Sequence, residues 1–170
     1  MIELLILYEL TNKVLTMYGI SREIKKNFSV LTMPSFGTIK PALKRLEKNG
    51  AIITQKTMSP GGRPSVYYSI TNDGNTMLKD LLLDNPSNNP IHFLSLARIK
   101  ITCSSILSNE DQLRLYDTLK QKAEIIVIEI KNMVIVETLN FQSKIVFDNL
   151  ICEYKNIISM LEGLIHASKN

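Results

Sequence analysis

Histidine and cysteine are scarce in this chain of 170 residues, which has two of each. Cys103 and Cys152 lie far apart and form no C-x-x-C pair. This spacing argues against a disulfide framework or a structural zinc site and favours a reducing compartment. His92 and His166 are isolated, and no nucleophile–base motif or phosphate-binding loop accompanies them. We therefore expect no enzyme, no metal site and no cofactor.

Long apolar runs are missing as well. No run approaches the roughly 18 apolar residues that a membrane-spanning helix needs, so we expect no contact with a membrane. The first ten residues, MIELLILYEL, contain Glu3 and Glu9 and lack a basic flank, which is unlike a signal peptide. With 45% apolar and 21% charged residues, the composition is typical of a folded protein, and the few cysteines lead us to expect it in the cytoplasm.

Acidic residues are rare in one part of the sequence. Residues 13–63 contain ten basic residues and only two acidic ones, Glu23 and Glu47. Residues 1–84 carry eleven basic and seven acidic residues, whereas residues 85–170 carry nine of each. A basic first half beside a neutral second half is the charge distribution expected of a nucleic-acid-binding domain with a partner domain.

The most informative stretch is residues 34–50, PSFGTIKPALKRLEKNG. Helical spacing places an apolar stripe on one side, formed by Phe36, Ile39, Leu43 and Leu46. The opposite side is narrow and cationic and contains Gly37, Thr38, Pro41, Lys44, Arg45 and Lys48. Such a face fits a DNA major groove, although an ordinary solvated helix face has the same pattern. Since Pro41 cannot donate a backbone hydrogen bond, the helix either begins only at Thr38 or is distorted.

The flanking segments predict a helix-turn-helix followed by a hairpin. An apolar helix near residues 2–10, a polar break at 11–16 and a helix at 18–28 precede the basic helix, which Gly50 ends. Residues 51–58 and 66–70 favour strands, and the turn SPGGRPS between them carries Arg63 at its tip. This hairpin is either a DNA-binding wing or a plain surface hairpin. Thr71 then caps a further helix.

The segment NPSNNP, residues 85–90, predicts a linker between a domain at 1–84 and a second domain at 91–170. The second domain is predicted to be helical, with heptad-like apolar runs from Leu113 to Glu137 and from Phe141 to Ile165. These runs contain more apolar residues than one antiparallel pair can bury, which favours a homodimer over a lone bundle. The expected fold is mainly α with a small β-hairpin: a winged helix-turn-helix domain and a C-terminal helical dimerisation domain.

The sequence resembles the PadR-type transcriptional regulators over essentially its whole length. The matching segments are ELLILYEL, YGISREI, SFGTIKPALKRLE and GRPSVYYSIT, in this order and spacing. The second half is similar to the larger subgroup of the family, in which a helical domain forms the dimer. The resemblance implies a winged-helix homodimer that represses transcription by binding operator DNA. It also implies release from DNA by a small aromatic or drug-like effector, as in some relatives.

The resemblance also implies which residues contact DNA. Together with the basic face, it gives the candidate contacts Tyr18, Ser35, Thr38, Lys40, Lys44, Arg45 and Arg63. The chain departs from the family at Met17, where a small residue is usual, and at Lys40, where an aromatic is usual. Phe93 and Tyr116 are candidates for an effector pocket or, alternatively, core residues. The competing functional hypothesis is a winged-helix adaptor that binds a protein partner and not an operator.

Overall fold

The chain forms two compact units, Met1–Asp84 and Asn85–Asn170. The computed structural model describes residues 1–58, 62, 64–87, 89–136 and 139–169, without the side chain of Val136. Helices dominate both units, and a small antiparallel sheet lies in the first. The predicted class, a mainly α winged helix with a helical C-terminal part, is confirmed.

Helix α1 (Ile2–Leu10) is the centre of the first unit. Its most deeply buried apolar side chains, each at most 2% exposed, are Leu4, Leu5, Ile6, Leu7 and Leu10. They are covered because α2 (Met17–Phe28), α3 (Phe36–Lys48) and α4 (Asn72–Leu83) all contact α1. An all-round apolar helix is stable only in such a position.

The sheet has three strands, β1 (Leu15–Thr16), β2 (Ile52–Met58) and β3 (Pro64–Ile70), in the order β1-β3-β2. β2 and β3 form the predicted hairpin, in which Ile52 pairs with Ile70. β1 lies within the segment predicted as a polar break. Two residues are too few to show an alternating pattern, and pairing with β3 over a long sequence separation creates this strand.

The base of the hairpin is closed by Gly50 and Thr71. Gly50 has a φ of 72°, and the N–H groups of Gly50 and Ala51 donate to the carbonyls of Glu47 and Leu46. This pattern is a Schellman motif and ends α3 as predicted. The Thr71 hydroxyl donates to the Gly50 carbonyl at 2.7 Å and accepts from the Gly74 N–H at 3.0 Å. Thr71 is therefore the predicted cap of α4 and also joins α4 to the end of α3.

Helix α3 excludes one of the two alternatives for Pro41 and corrects one expectation. It begins at Phe36 and not at Thr38, so Pro41 lies inside the helix, five residues after its start. The buried stripe contains Ile39, Leu43 and Leu46 as predicted, but Phe36 is 46% exposed. Phe36 is the first helical residue, where the chain is still approaching the core, and Ala42 is buried in the stripe instead.

The second unit contains α5 (Pro90–Cys103), a short 3-10 turn, α6 (Asn109–Val136) and α7 (Phe141–Ser168). α6 and α7 pack against each other. The Tyr154 hydroxyl donates to the carbonyl of Pro90 at 2.7 Å, which anchors α7 to the start of α5. Burial raises the pKa of Tyr154 to about 12.

Two buried carboxylates fix α2 within the first unit. Glu9 of α1 accepts a hydrogen bond from the Asn27 side chain at 2.8 Å, and Glu23 forms an ion pair with Lys13. The hydrogen bond from Lys13 lowers the pKa of Glu23, whereas desolvation raises the pKa of Glu9. The two groups therefore contribute to stability with opposite dependence on pH.

The close approach at Gly74 gives a test of the hairpin base. A Cβ atom at this position would lie 2.0 Å from the Ala51 carbonyl oxygen and 2.7 Å from Cγ1 of Ile70. We expect Gly74→Ala to destabilise the first unit by about 1–3 kcal/mol, because backbone must move to admit the methyl group. Gly37→Ala is the matched control, since its Cβ would meet nothing closer than 3.5 Å. Urea denaturation followed by circular dichroism measures both, and equal stability of the two variants would contradict this packing.

The opposite pKa shifts of Glu9 and Glu23 can be tested with a second pair of variants. Glu23 has a lowered pKa in the folded state, so its contribution is present at neutral pH and is lost as the pH falls through that folded value. Glu9 has a raised pKa, so its ionisation costs stability as the pH rises through its folded value. Glu23→Gln should lower the melting temperature at about pH 7 and lose this effect as the pH falls below the folded pKa of Glu23, whereas Glu9→Gln should raise the melting temperature at about pH 7 but not below the ordinary glutamate pKa. Same-sign shifts in both variants at neutral pH would refute this assignment.

Candidate nucleic-acid interface

The outward face of α3 is cationic. Ile39, Ala42, Leu43 and Leu46 are buried on the inner side, and Lys40, Lys44 and Lys48 are exposed on the outer side. None of these three lysines forms an ion pair with a residue that the structure describes. Glu47, the acidic residue of this helix, accepts a hydrogen bond from the Thr54 hydroxyl of β2 at 2.7 Å. Its charge is therefore held at the side of the helix next to the sheet.

The start of α3 presents small polar groups beside the lysines. Ser35 precedes the helix, and its hydroxyl lies 3.2 Å from the hydroxyl of Thr38, with both residues exposed. The N–H groups of Thr38 and Ile39 both donate to the Ser35 carbonyl. Gly37, which lies between Ser35 and Thr38, is exposed and carries no side chain that could keep a ligand away. This end of the helix can be approached closely by a large ligand.

Tyr18 lies next to this helix start and is 68% exposed. Its ring stacks on that of Phe36, with centroids 6.4 Å apart and an interplanar angle of 17°. The structure therefore brings the candidate contact Tyr18 together with the first turn of α3. The sequence pattern did not indicate Phe36 as part of this surface, because helical spacing alone assigned it to the core.

Arg45 is in a different situation from the lysines. Its Nε donates to Oε1 of Glu3 in α1 at 2.7 Å, although the Arg45 side chain is still 56% exposed. The sequence did not indicate this ion pair when it predicted Arg45 as a DNA contact, because the two residues lie 42 positions apart. To bind a phosphate, Arg45 must share or leave the carboxylate of Glu3.

The hairpin carries a basic residue that is not among the predicted DNA contacts. Lys56 is exposed on β2. Its position in a strand of the predicted hairpin could have indicated it as a contact. The predicted contact Arg63 lies outside the described residues. Gly62, which precedes it, has a φ of 71°, a backbone conformation that glycine adopts without steric cost.

The two aromatic candidates for an effector pocket are packed in the second unit. Phe93 is 1% exposed and stacks on Tyr154 with ring centroids 5.9 Å apart. Tyr116 is 4% exposed, and its hydroxyl lies 2.7 Å from the hydroxyl of Ser104. Both residues serve as core in this structure.

Within the described ranges, no three His, Cys, Asp or Glu side chains converge as metal ligands would. None of the helices that the structure describes combines the length and hydropathy required to cross a bilayer.

A helix-turn-helix followed by an antiparallel hairpin defines a winged-helix protein. The model of the transcriptional regulator PadR-like family matches residues 6–80, which include the helix-turn-helix and the hairpin. The first unit therefore carries the domain of this family, as the sequence motifs predicted. No curated protein matches the sequence.

Several solved structures resemble the chain. Bacillus subtilis PadR in complex with operator DNA is 20% identical, with 98% of each chain covered and a TM-score of 0.47. The protein smu.1604c from Streptococcus mutans UA159 is 22% identical, with 96% of this chain and 98% of that chain covered and a TM-score of 0.45. A PadR family transcription regulator from hypervirulent Clostridium difficile R20291 is 30% identical, with 46% of this chain and 79% of that chain covered and a TM-score of 0.42.

Proposed function

We propose that the protein is a sequence-specific DNA-binding repressor that inserts α3 into the major groove of its operator. The observation that carries this proposal is the outward face of α3, where Lys40, Lys44 and Lys48 are exposed without an acidic partner among the described residues. The match of residues 6–80 to a family of transcriptional regulators supports the same function. Unpaired lysines on a narrow helix contribute little to folding, whereas they release counterions when they meet phosphates.

The proposed contacts divide into three groups. Ser35, Thr38 and Lys40, in the first turns of α3, face base edges, because the N-terminal residues of a recognition helix enter the groove. Lys44 and the Tyr18 hydroxyl bind phosphates, which set the position of the protein on the duplex. Arg45 follows as a weaker phosphate contact because Glu3 competes for its guanidinium. Arg63 and Lys56 of the hairpin are assigned to the adjacent backbone or minor groove.

The second proposed feature is a homodimer formed by α6 and α7. Their buried residues end at Ile130 in α6 and begin at Ile151 in α7. Beyond these points, residues 131–135 and 141–150 contain no buried side chain among those that the structure describes. The exposed apolar residues of this part are Met133, Ile135, Phe141, Ile145 and Val146, with exposures of 50–80%. A second copy of the chain is proposed to cover them.

A dimer explains how such a small domain finds one operator. Two copies of α3 read two half-sites about one helical turn, roughly 34 Å, apart. The proposed division is therefore a DNA-binding domain at residues 1–84, a linker at 85–90 and a dimerisation domain at 91–170. A small aromatic or drug-like effector is proposed to release the repressor in the cytoplasm, where operator DNA is accessible.

The proposed DNA contact of α3 can be tested by measuring how the affinity for DNA depends on salt concentration. Affinity for an operator duplex should fall with salt with a log–log slope of about −0.9 per phosphate contact, and Lys44→Ala should reduce this slope by about one unit. Lys155→Ala, a change of an equally exposed helical lysine in the second unit, is the control and should leave the slope unchanged. The measurement is a series of binding isotherms by fluorescence anisotropy. Binding that is independent of salt would support the adaptor hypothesis and exclude this proposal.

The proposed dimer can be tested by measuring the mass of the protein in solution. The intact protein should scatter light as a particle of twice the chain mass of 19.3 kDa. The double variant Phe141→Asp and Ile145→Asp should shift the mass towards that of one chain, because two desolvated charges would oppose association. Ile91→Asp is the control, since Ile91 is 82% exposed on α5, outside the proposed interface. A dimer that persists in the double variant would show that this end of the helical pair is not the interface.

A further inference from the structure

Building on the proposed DNA binding, we infer that Phe36 and Tyr18 form an apolar contact for the 5-methyl group of one thymine in each half-site. Phe36 touches the methyl group, and Tyr18 holds the Phe36 ring in place. This pair therefore determines which base is preferred at one operator position.

The inference starts from the exposure of two large aromatic rings. Phe36 is 46% exposed and Tyr18 is 68% exposed, although each ring could gain free energy from burial. The two rings cover each other only in part, with centroids 6.4 Å apart and nearly parallel planes. Their outer surfaces remain available to a ligand.

Both rings are attached to helix starts whose backbone is fixed. Phe36 is the first residue of α3, and Tyr18 is the second residue of α2. The Thr16 hydroxyl accepts from the Gly19 N–H at 3.1 Å and so fixes the first turn of α2. Stacking on Tyr18 limits the rotamers of Phe36 before any ligand binds. Less conformational entropy is then lost when Phe36 makes its contact.

The surroundings of the pair indicate the chemistry of the ligand. Ser35 just before α3, and Thr38 and Lys40 in its first turns, are exposed and offer hydroxyl groups and a positive charge. The ligand must therefore combine negative charge and hydrogen-bonding groups with a small apolar group. In the major groove of DNA, the thymine 5-methyl group is the apolar element among the base-edge acceptors and donors, and Phe is a residue that contacts it.

The two residues have separable roles. Phe36 determines specificity because its ring meets the base. Tyr18 is a positioning residue through its ring, and its hydroxyl is available for a phosphate. Tyr18→Phe removes only the hydroxyl, whereas Tyr18→Ala also removes the ring that supports Phe36.

The test combines protein variants with a single-methyl change in the DNA. The probe is a duplex enriched by the full-length protein from a randomised DNA library, in which each thymine is replaced in turn by deoxyuridine. For the natural chain, we expect one thymine per half-site at which the replacement weakens binding about fourfold, the effect of one methyl group removed from an apolar contact. Phe36→Ala should bind the thymine duplex more weakly and should no longer distinguish uracil from thymine at that position.

Matched variants separate the two roles. Tyr18→Phe should keep the discrimination and lose overall affinity, and Tyr18→Ala should lose both. Circular dichroism melts check that each variant is folded, and Phe36→Leu, which should discriminate partially, replaces Phe36→Ala if that variant unfolds.

Three results would overturn the inference in distinguishable ways. If no duplex is enriched, the proposed DNA binding itself fails. If the natural chain binds its duplex but no thymine-to-uracil change matters, DNA binding stands and the methyl contact is wrong. If Phe36→Ala, or Phe36→Leu in its place, keeps the full discrimination, the methyl group is read by another residue.

Discussion

The fold of the first unit depends on the burial of α1. Its apolar side chains point in every direction, so they can leave water only if other elements surround the helix. α2, α3 and α4 each supply one apolar side for this purpose. Since each of these helices buries a single side against α1, its opposite side must face solvent. The exposure of the cationic side of α3 is thus a geometric consequence of a core built around one short helix.

The acidic side chains of this unit are also positioned by contacts within the fold. Its acidic residues near the basic surface are occupied within the fold: Glu3 pairs with Arg45, Glu23 with Lys13, and Glu47 accepts a hydrogen bond from Thr54. Glu9 is buried next to Asn27. The lysines on the outer side of α3 therefore keep a positive field that few nearby carboxylates weaken. A polyanion approaching this side meets little repulsion at short range.

Strong periodic patterns in the sequence predicted much of the fold, and local chemistry predicted the caps at Gly50 and Thr71. What could not be predicted was set by contacts between distant residues. Strand β1 exists only because β3 lies beside it, and the Arg45–Glu3 ion pair joins α3 to α1. Phe36 fits the apolar stripe by spacing, but the helix start carries it out of the core towards Tyr18. The basic side of α3 follows from the sequence alone, whereas the aromatic pair beside it required the structure.

The closed base of the hairpin has a consequence for how this protein can change over time. Thr71 connects to Gly50 by its hydroxyl and to Ala51 by its N–H, so the chain leaves α3 and returns to α4 at a single fixed point. Substitutions or insertions between β2 and β3 alter a loop whose ends are held. Doubling the length of such a loop costs only about 0.6 kcal/mol. The segment between β2 and β3 can therefore diversify between relatives while α3 keeps its place, so the two parts of the unit are free to evolve separately.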